Sequence, residues 1–214
     1  MVSCRAREAV RGESLRSLAA GGWDRPPKIV LDDEVEPTPL QRIHRTWRRT
    51  LERAAASAAR FVLLLEDDIV VGRWFKRNLL AWPVLAQHPP EQAFFASLYN
   101  PSLPYHVIRP EENCLVSDPR YVWGAQALVM TPPTARFVLE RWNEELGNPD
   151  QKMPRLAARV TPIYFHVPSL VNHADVPTTW GGMEHRAGDF DADWLSAHAA
   201  DERIIASVPP RPVP

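Results

Sequence analysis

The sequence lacks most of the features that would assign it to a class at once. It has two cysteines, Cys4 and Cys114. That is too few for a disulfide framework, so both read as buried free thiols. It has no surplus of either charge: 25 Lys and Arg stand against 26 Asp and Glu. A net charge of −1 gives no general electrostatic attraction to nucleic acid or to an anionic membrane. No apolar run approaches the ~20 residues of a membrane span, and the N-terminus carries no apolar signal-peptide core. A cytoplasmic protein without a membrane span is therefore expected. There is no Gly-x-x-x-x-Gly-Lys-Ser/Thr run and no Gly-x-Gly-x-x-Gly fingerprint, which argues against a P-loop kinase and a dinucleotide oxidoreductase. No internal repeat and no dividing linker is found, and 214 residues suffice for one domain with a full core.

What is present is concentrated in one stretch. Phe61-Val-Leu-Leu-Leu65 runs without alternation into Glu66-Asp67-Asp68, followed by Ile69-Val70-Val71. An unbroken apolar run bounded by charge reads as a strand covered on both faces. Ligands of open α/β sheets bind beyond the carboxyl ends of such strands. Three adjacent acids repel one another unless something cationic shares the site. Oxygen ligands suit a hard cation such as Mg²⁺ or Mn²⁺. This reading requires carboxylates that face a cavity and are not tied up in salt links.

The rest of the chain supplies strands and helices in alternation. Val2–Cys4 reads as a short first strand with Arg5 and Arg7 at its end, and residues 8–20 read as a helix stopped by Gly21-Gly22. Lys28–Leu31 is a second strand ending in Asp32-Asp33. Thr38 caps a helix entered through Pro39. Its apolar face is Leu40, Ile43, Trp47, Leu51, Ala54 and Ala58, with Arg42, Arg45, Arg48, Arg49 and Arg53 on a solvated side. A helix is expected over 73–85, strands over 92–98 and 124–130, and a hairpin around Glu111-Glu112-Asn113. Thr131 caps a helix running toward Leu146. A further helix over 150–159 bends at Pro154, and the last strand is 162–167. Residues 191–214 read as a helical segment and a proline-rich tail. Strand–helix–strand order with short connections points to an α/β domain.

Three stretches together resemble glycosyltransferases of the GT-A fold. Leu63-Leu-Leu-Glu-Asp-Asp-Ile69 is similar to that family's DxD motif in a Glu-Asp-Asp form. Trp123-Gly-Ala-Gln-Ala-Leu-Val-Met130 resembles its glycine-containing loop and strand on the acceptor side. Pro168-Ser-Leu-Val-Asn-His173, with Thr178-Thr-Trp-Gly181, resembles its C-terminal Pro-Ser-Leu-x-x-His segment. The resemblance spans residues 1–190 and implies a Rossmann-like, mostly parallel central sheet flanked by helices in a single domain. It implies transfer of a hexosyl or N-acetylhexosaminyl unit from a nucleotide-diphosphate donor, UDP by preference, to a hydroxyl of a carbohydrate or glycoconjugate acceptor, with Mn²⁺ or Mg²⁺. Carried over residue by residue, it makes Asp68 and His173 metal ligands and puts Glu66 and Asp67 near the ribose and sugar. For an inverting enzyme Asp150 matches the general base, with Glu144 and Glu145 as alternatives; a retaining enzyme of this fold would give Asp150 no such role. Arg5, Arg7, His185 and Arg186 are the cationic candidates for the diphosphate. Asp32 and Asp33 are candidates for the base or ribose, and Trp123, Gly124 and Trp180 for the acceptor.

Two other functions compete. A metal-dependent phosphohydrolase also places acids at a strand end. The haloacid-dehalogenase arrangement, however, needs an Asp nucleophile where this chain has Glu66. A non-catalytic nucleotide- or carbohydrate-binding module would bind a donor without turning it over.

Overall fold

The computed structural model describes residues 1–101, 107–176 and 186–200. His185, Trp180 and the proline-rich tail lie outside these residues. β1 (Val2–Ser3) leads through a 3₁₀ turn at Arg5–Arg7 into α1 (Glu8–Ala20), and β2 (Val30–Leu31) returns parallel to β1. Gly21 ends α1 where a side chain has no room: an added Cβ would lie 2.7 Å from Val71 Cγ2 and 3.0 Å from the Gly72 carbonyl. α2 (Pro39–Ala55) starts as expected, with Thr38 Oγ1 accepting the Gln41 N–H at 3.3 Å. It buries Trp47 and Leu51 completely, each contributing about 2–3 kcal/mol by removal from water.

β3 (Val62–Leu65) and β4 (Ile69–Val71) flank the acids. The single helix expected over 73–85 is two, α3 (Phe75–Ala81) and α4 (Pro83–Gln87). Pro83 bars the residue before it from the helical region, and Trp82 is extended at φ −63°, ψ 116°. β5 (Phe95–Ser97) is followed by the expected hairpin of β6 (Val107–Arg109) and β7 (Cys114–Ser117), with Asn113 at φ 49°. β8 (Ala127–Met130) leads into α5 (Pro132–Glu140). Thr131 does not cap α5 with its side chain. Its hydroxyl instead donates to the Gln92 carbonyl at 3.0 Å and accepts the Phe94 N–H at 3.2 Å, fastening α5 to the start of β5. α6 (Pro149–Ala157) contains Pro154. β9 (Ile163–His166), β10 (Val171–His173) and the short α7 (Ala197–Ala200) complete the fold.

The main sheet has the order β3-β8-β5-β9-β7-β6. It is mixed rather than mostly parallel: β5–β9 is parallel, and the other four pairings are antiparallel. The physical reason lies in β8, which enters between β3 and β5 against both of them. All four of its residues are buried, a pattern that reports cover on both faces and carries no information on direction. Side chains alternate between two cores. Leu64, Phe95, Leu128, Met130 and Phe165 share one with Trp47, Leu51 and Val138, and Leu65, Ala96, Ala127 and Val129 share the other with Leu18, Phe75 and Leu79. No helix among the described residues is long and apolar enough to cross a membrane.

Directions follow from the pairings. β3, β5 and β9 run the same way and β8 runs against them, so the carboxyl ends of the first three and the amino end of β8 open on one edge. Glu66 N–H bonds the Gln126 carbonyl, Leu98 N–H the Ala127 carbonyl, and Leu170 N–H the Leu98 carbonyl at that edge. β10 pairs with β4 in a separate two-stranded sheet, with His173 opposite Ile69.

His166 reports on the second core. Its ring packs 5.0 Å from Trp82 and 5.5 Å from Trp194, and Nδ1 lies 2.7 Å from the Pro168 carbonyl. Burial pushes its pKa down to about 4, so the folded protein holds it neutral. The unfolded chain binds this proton near the unperturbed 6.5. The stability that a neutral His166 contributes is therefore complete above about pH 6.5 and lost as pH falls toward 4. Urea unfolding at pH 7 and pH 5 is expected to show roughly 2 kcal/mol of this loss, absent from a His166→Asn variant.

Candidate functional site

Glu66, Asp67 and Asp68 lie at the sheet edge where the strand ends converge, but they are not equivalent. Asp67 has both oxygens engaged: Oδ2 accepts the Ser3 hydroxyl at 2.5 Å and Oδ1 the Arg7 Nε–H at 2.8 Å. Asp68 Oδ2 accepts from Arg7 at 2.6 Å and lies 3.2 Å from His173 Nε2. Asp68 Oδ1 is buried and has no partner among the described residues. Local structure explains the placement. The acids sit in the turn between β3 and β4, where the Ser14 hydroxyl donates to the Asp67 carbonyl at 2.8 Å and accepts the Ile69 N–H at 2.9 Å. The Ala174 N–H bonds the Asp68 carbonyl at 2.7 Å, which, with the β4–β10 pairing, holds His173 against Asp68.

Electrostatics divide the three acids. Burial, and then the charges of Asp68, Asp150 and Asp67, push Glu66 well above the usual carboxylate range. Burial also raises Asp67, against the hydrogen bond from Ser3 and the charge of Arg7. Burial opposes the charge on Asp68 too. The hydrogen bond and charge of His173, joined by Arg7, outweigh it and hold Asp68 below its ordinary value. The same hydrogen bond raises His173, against its burial. The Asp68–His173 contact thus favours the charged form of each, while the surroundings of Glu66 favour its protonated form.

The first turn of α6 and the residues before β8 also approach these acids. Asp150 Oδ2 accepts the Gly124 N–H at 3.1 Å, and its charge reaches Glu66. Gly124 is at φ +78°, and a Cβ there would lie 2.2 Å from Gln126 Oε1 and 3.1 Å from Tyr99 Cε1. Only glycine permits this turn and this approach. Trp123 beside it is 49% exposed, free to present an aromatic face.

No known protein-family model matches this chain, and no curated protein matches it. The site stands on its own residues.

Several expected site residues are engaged elsewhere. Asp67 accepts from Ser3 on one oxygen and from Arg7 on the other. Asp32 is bonded to Arg42 at 2.7 Å. Asp33 is bonded to Arg45 at 3.1 Å and to Arg49 at 3.0 Å. The arginine face of α2 therefore serves the acids that end β2 rather than solvent alone. Glu144 and Glu145 pair with Arg159, whereas the charge of Asp150 reaches Glu66. Arg5 is exposed. Arg186 pairs with Asp175 at 2.9 Å. Arg7 is salt-linked to both Asp67 and Asp68, so, against the expectation, these two acids are tied up; of their four oxygens only Asp68 Oδ1 is buried without a partner among the described residues. An apolar cavity of about 1330 Å³ lies against β2, α2, β3 and α3; no acidic residue lines it.

The residues missed in the sequence are Ser3, Tyr99, Asn100 and Gln126. Tyr99 is 1% exposed, Asn100 4% and Gln126 8%, and the Tyr99 hydroxyl, Asn100 Oδ1 and Gln126 Oε1 have no hydrogen-bond partner among the described residues. A signal was available for one of them: Gln126 is a polar residue inside an otherwise apolar strand run.

Arg7 is the cation that makes these acids tolerable. Removing one partner of a buried ion pair leaves the other uncompensated, at a cost of about 3–5 kcal/mol. Arg7→Met is expected to lower unfolding free energy by about 3 kcal/mol in urea titration, with part recovered by adding Asp67→Asn.

Proposed function

We propose that this chain is a metal-dependent glycosyltransferase of the GT-A type, moving a sugar from a nucleotide-diphosphate donor to an acceptor hydroxyl. One observation carries the reading. Asp68 and His173 belong to two motifs 105 residues apart, and their side chains meet at 3.2 Å while Asp68 Oδ1 is buried with no partner among the described residues. Among the described residues no trio of His, Cys, Asp or Glu forms a ready-made metal cage. A carboxylate and an imidazole nonetheless suit Mn²⁺, and such cations commonly take their remaining ligands from substrate phosphates and water. The donor set therefore fits a cation that arrives with its nucleotide. UDP, with Mn²⁺ or Mg²⁺, is the preferred pairing.

The cation supplies charge neutralisation for the departing diphosphate. The chain's own residues do the rest. Arg7 and Ser3 hold Asp67, and Arg7 also braces Asp68. Glu66, favouring its proton, offers a hydrogen bond to a neutral hydroxyl of the donor. Asp150 sits across the cleft, oriented by the Gly124 N–H. It is the general base that takes the acceptor's proton as the hydroxyl attacks the anomeric carbon. The exposed ring of Trp123 gives the acceptor sugar a face to stack on. The sugar-binding floor is the edge formed by β3, β5 and β8, and the parallel β1–β2 pair lies on its nucleotide side.

The test is a thermal-shift screen of UDP- and GDP-linked sugars with and without Mn²⁺. A donor that binds the native state raises its melting temperature according to RT ln(1 + [L]/Kd). A metal-dependent shift with one donor is expected, together with its loss in folded Asp68→Asn and in His173→Ala. A shift indifferent to both substitutions would refute the assignment. Asp150→Asn is expected to retain the donor shift and lose transfer.

A further inference from the structure

Lys152 of α6 is a covered cation to which no acid is bonded. It is 7% exposed, and lysine is rarely so enclosed unless a carboxylate pairs with it. Among the described residues its ammonium makes no hydrogen bond and no ion pair. It is also not one of their enclosed, unpartnered polar atoms, so it keeps an opening to the surface. Nζ stands 4.9 Å from the centroid of the Trp142 ring, whose face offsets part of the cost of burial. His44 of α2 packs on the same ring edge to face, with centroids 5.7 Å apart. Arg48 follows one turn along α2 on the side of His44 and is exposed. The charge of Arg48 reaches Lys152, and that of Lys152 reaches His44. Neither Arg48 nor His44 is bonded to an acid among the described residues. The charge of Glu145 also reaches Lys152, but that carboxylate is bonded to Arg159 at 2.7 Å. Two helices thus bring three basic groups around one aromatic ring. Such a grouping is costly unless an anion shares it.

We propose that Lys152, Arg48 and His44 form a binding site for a phosphoryl oxyanion where α2 meets α6. The site is separate from the one assigned to the transferase reading and does not rest on it. Asp150 and Lys152 are two residues apart on α6, about 200° around its axis. Asp150 therefore meets Gly124, while Lys152 meets Trp142 and α2. Chemistry selects the ligand. Basic groups with no acid among them exclude a cation. Trp142 is 3% exposed, so it offers no face to a sugar or a base. A phosphoryl group carries close to two negative charges at neutral pH, which matches two permanent cations. Its several oxygens accept from the ammonium, the guanidinium fork and the imidazole together. A carboxylate brings one charge and two oxygens, and leaves one of the basic groups without a partner. Inorganic phosphate and a phosphate monoester share the chemistry that fits.

The test is calorimetric titration, with parallel melting curves, in chloride buffer without divalent metal. Inorganic phosphate, glycerol phosphate and acetate are compared at equal ionic strength on wild type, Lys152→Met and Arg48→Gln. Wild type is expected to bind a phosphate compound and to melt higher in its presence, with acetate weaker by about tenfold or more. Tighter binding of glycerol phosphate supports a phosphorylated metabolite as the ligand, and tighter binding of inorganic phosphate supports the free ion. Loss of one charge-assisted bond is expected to weaken binding about tenfold in Arg48→Gln, and Lys152→Met is expected to abolish it. A general salting effect of phosphate would raise wild type and variants alike. Arg48 is exposed, so its replacement costs the fold little and carries the test should Lys152→Met not fold. The site is overturned by a wild type with no affinity for either phosphate compound. It is overturned equally by acetate binding as tightly as phosphate, or by phosphate binding undiminished in Arg48→Gln. None of these results bears on the transferase reading, which stands or falls with its own donor.

Discussion

Arg7 lies between Asp67 and Asp68, bonded to both, with its side chain only 13% exposed. Much else depends on that guanidinium. It comes from the turn after β1, so it ties the first strand to the end of β3 across sixty residues of chain. It lets two neighbouring carboxylates stay close together in a protein interior, where each alone would be strongly penalised. Its planar fork is suited to this, because one group can serve two acids at once. The remaining member of the trio, Glu66, receives no such help from a bonded cation and responds by favouring its proton. One cation thus separates three adjacent acids: Asp67 and Asp68 are bonded to it and Glu66 is not.

The cleft is assembled from parts of different rigidity of purpose. Asp67, Ser3 and Ser14 fasten backbone to backbone and have little freedom left for a ligand. Asp68, Tyr99, Asn100 and Gln126 each keep an oxygen in reserve. Gly124 joins the two sets, because its backbone orients Asp150 while its missing side chain leaves space for Gln126 and Tyr99.

Much of the secondary structure was readable from residue patterns. The 8–20 helix, the Thr38 start of α2, the strand before the acids and the 111–113 turn all appear where local chemistry puts them. The misses have local causes as well. Pro83 divides a helix that the apolar spacing alone would continue, and Thr131 uses its hydroxyl on β5 instead of on its own helix. In the site, the acidic trio and the proximity of His173 to Asp68 followed from motif resemblance. The partners of Asp32, Asp33 and Asp67 did not. An acid at a strand end looks the same in sequence whether an arginine or a ligand awaits it.

What the sequence determined unaided is burial and its interruptions: which runs are covered on both faces, where helices begin, and where charge breaks an apolar strand. These depend on neighbours a few residues apart. Strand direction, the choice of Arg7 as the acids' counter-ion, and the approach of Tyr99 and Gln126 to Gly124 were decided only by the folded chain. The reason is that side-chain periodicity records how much of a strand is covered but not which way its neighbour runs. Likewise, a hydrogen bond between residues sixty or a hundred positions apart exists only once the sheet edge has brought them together.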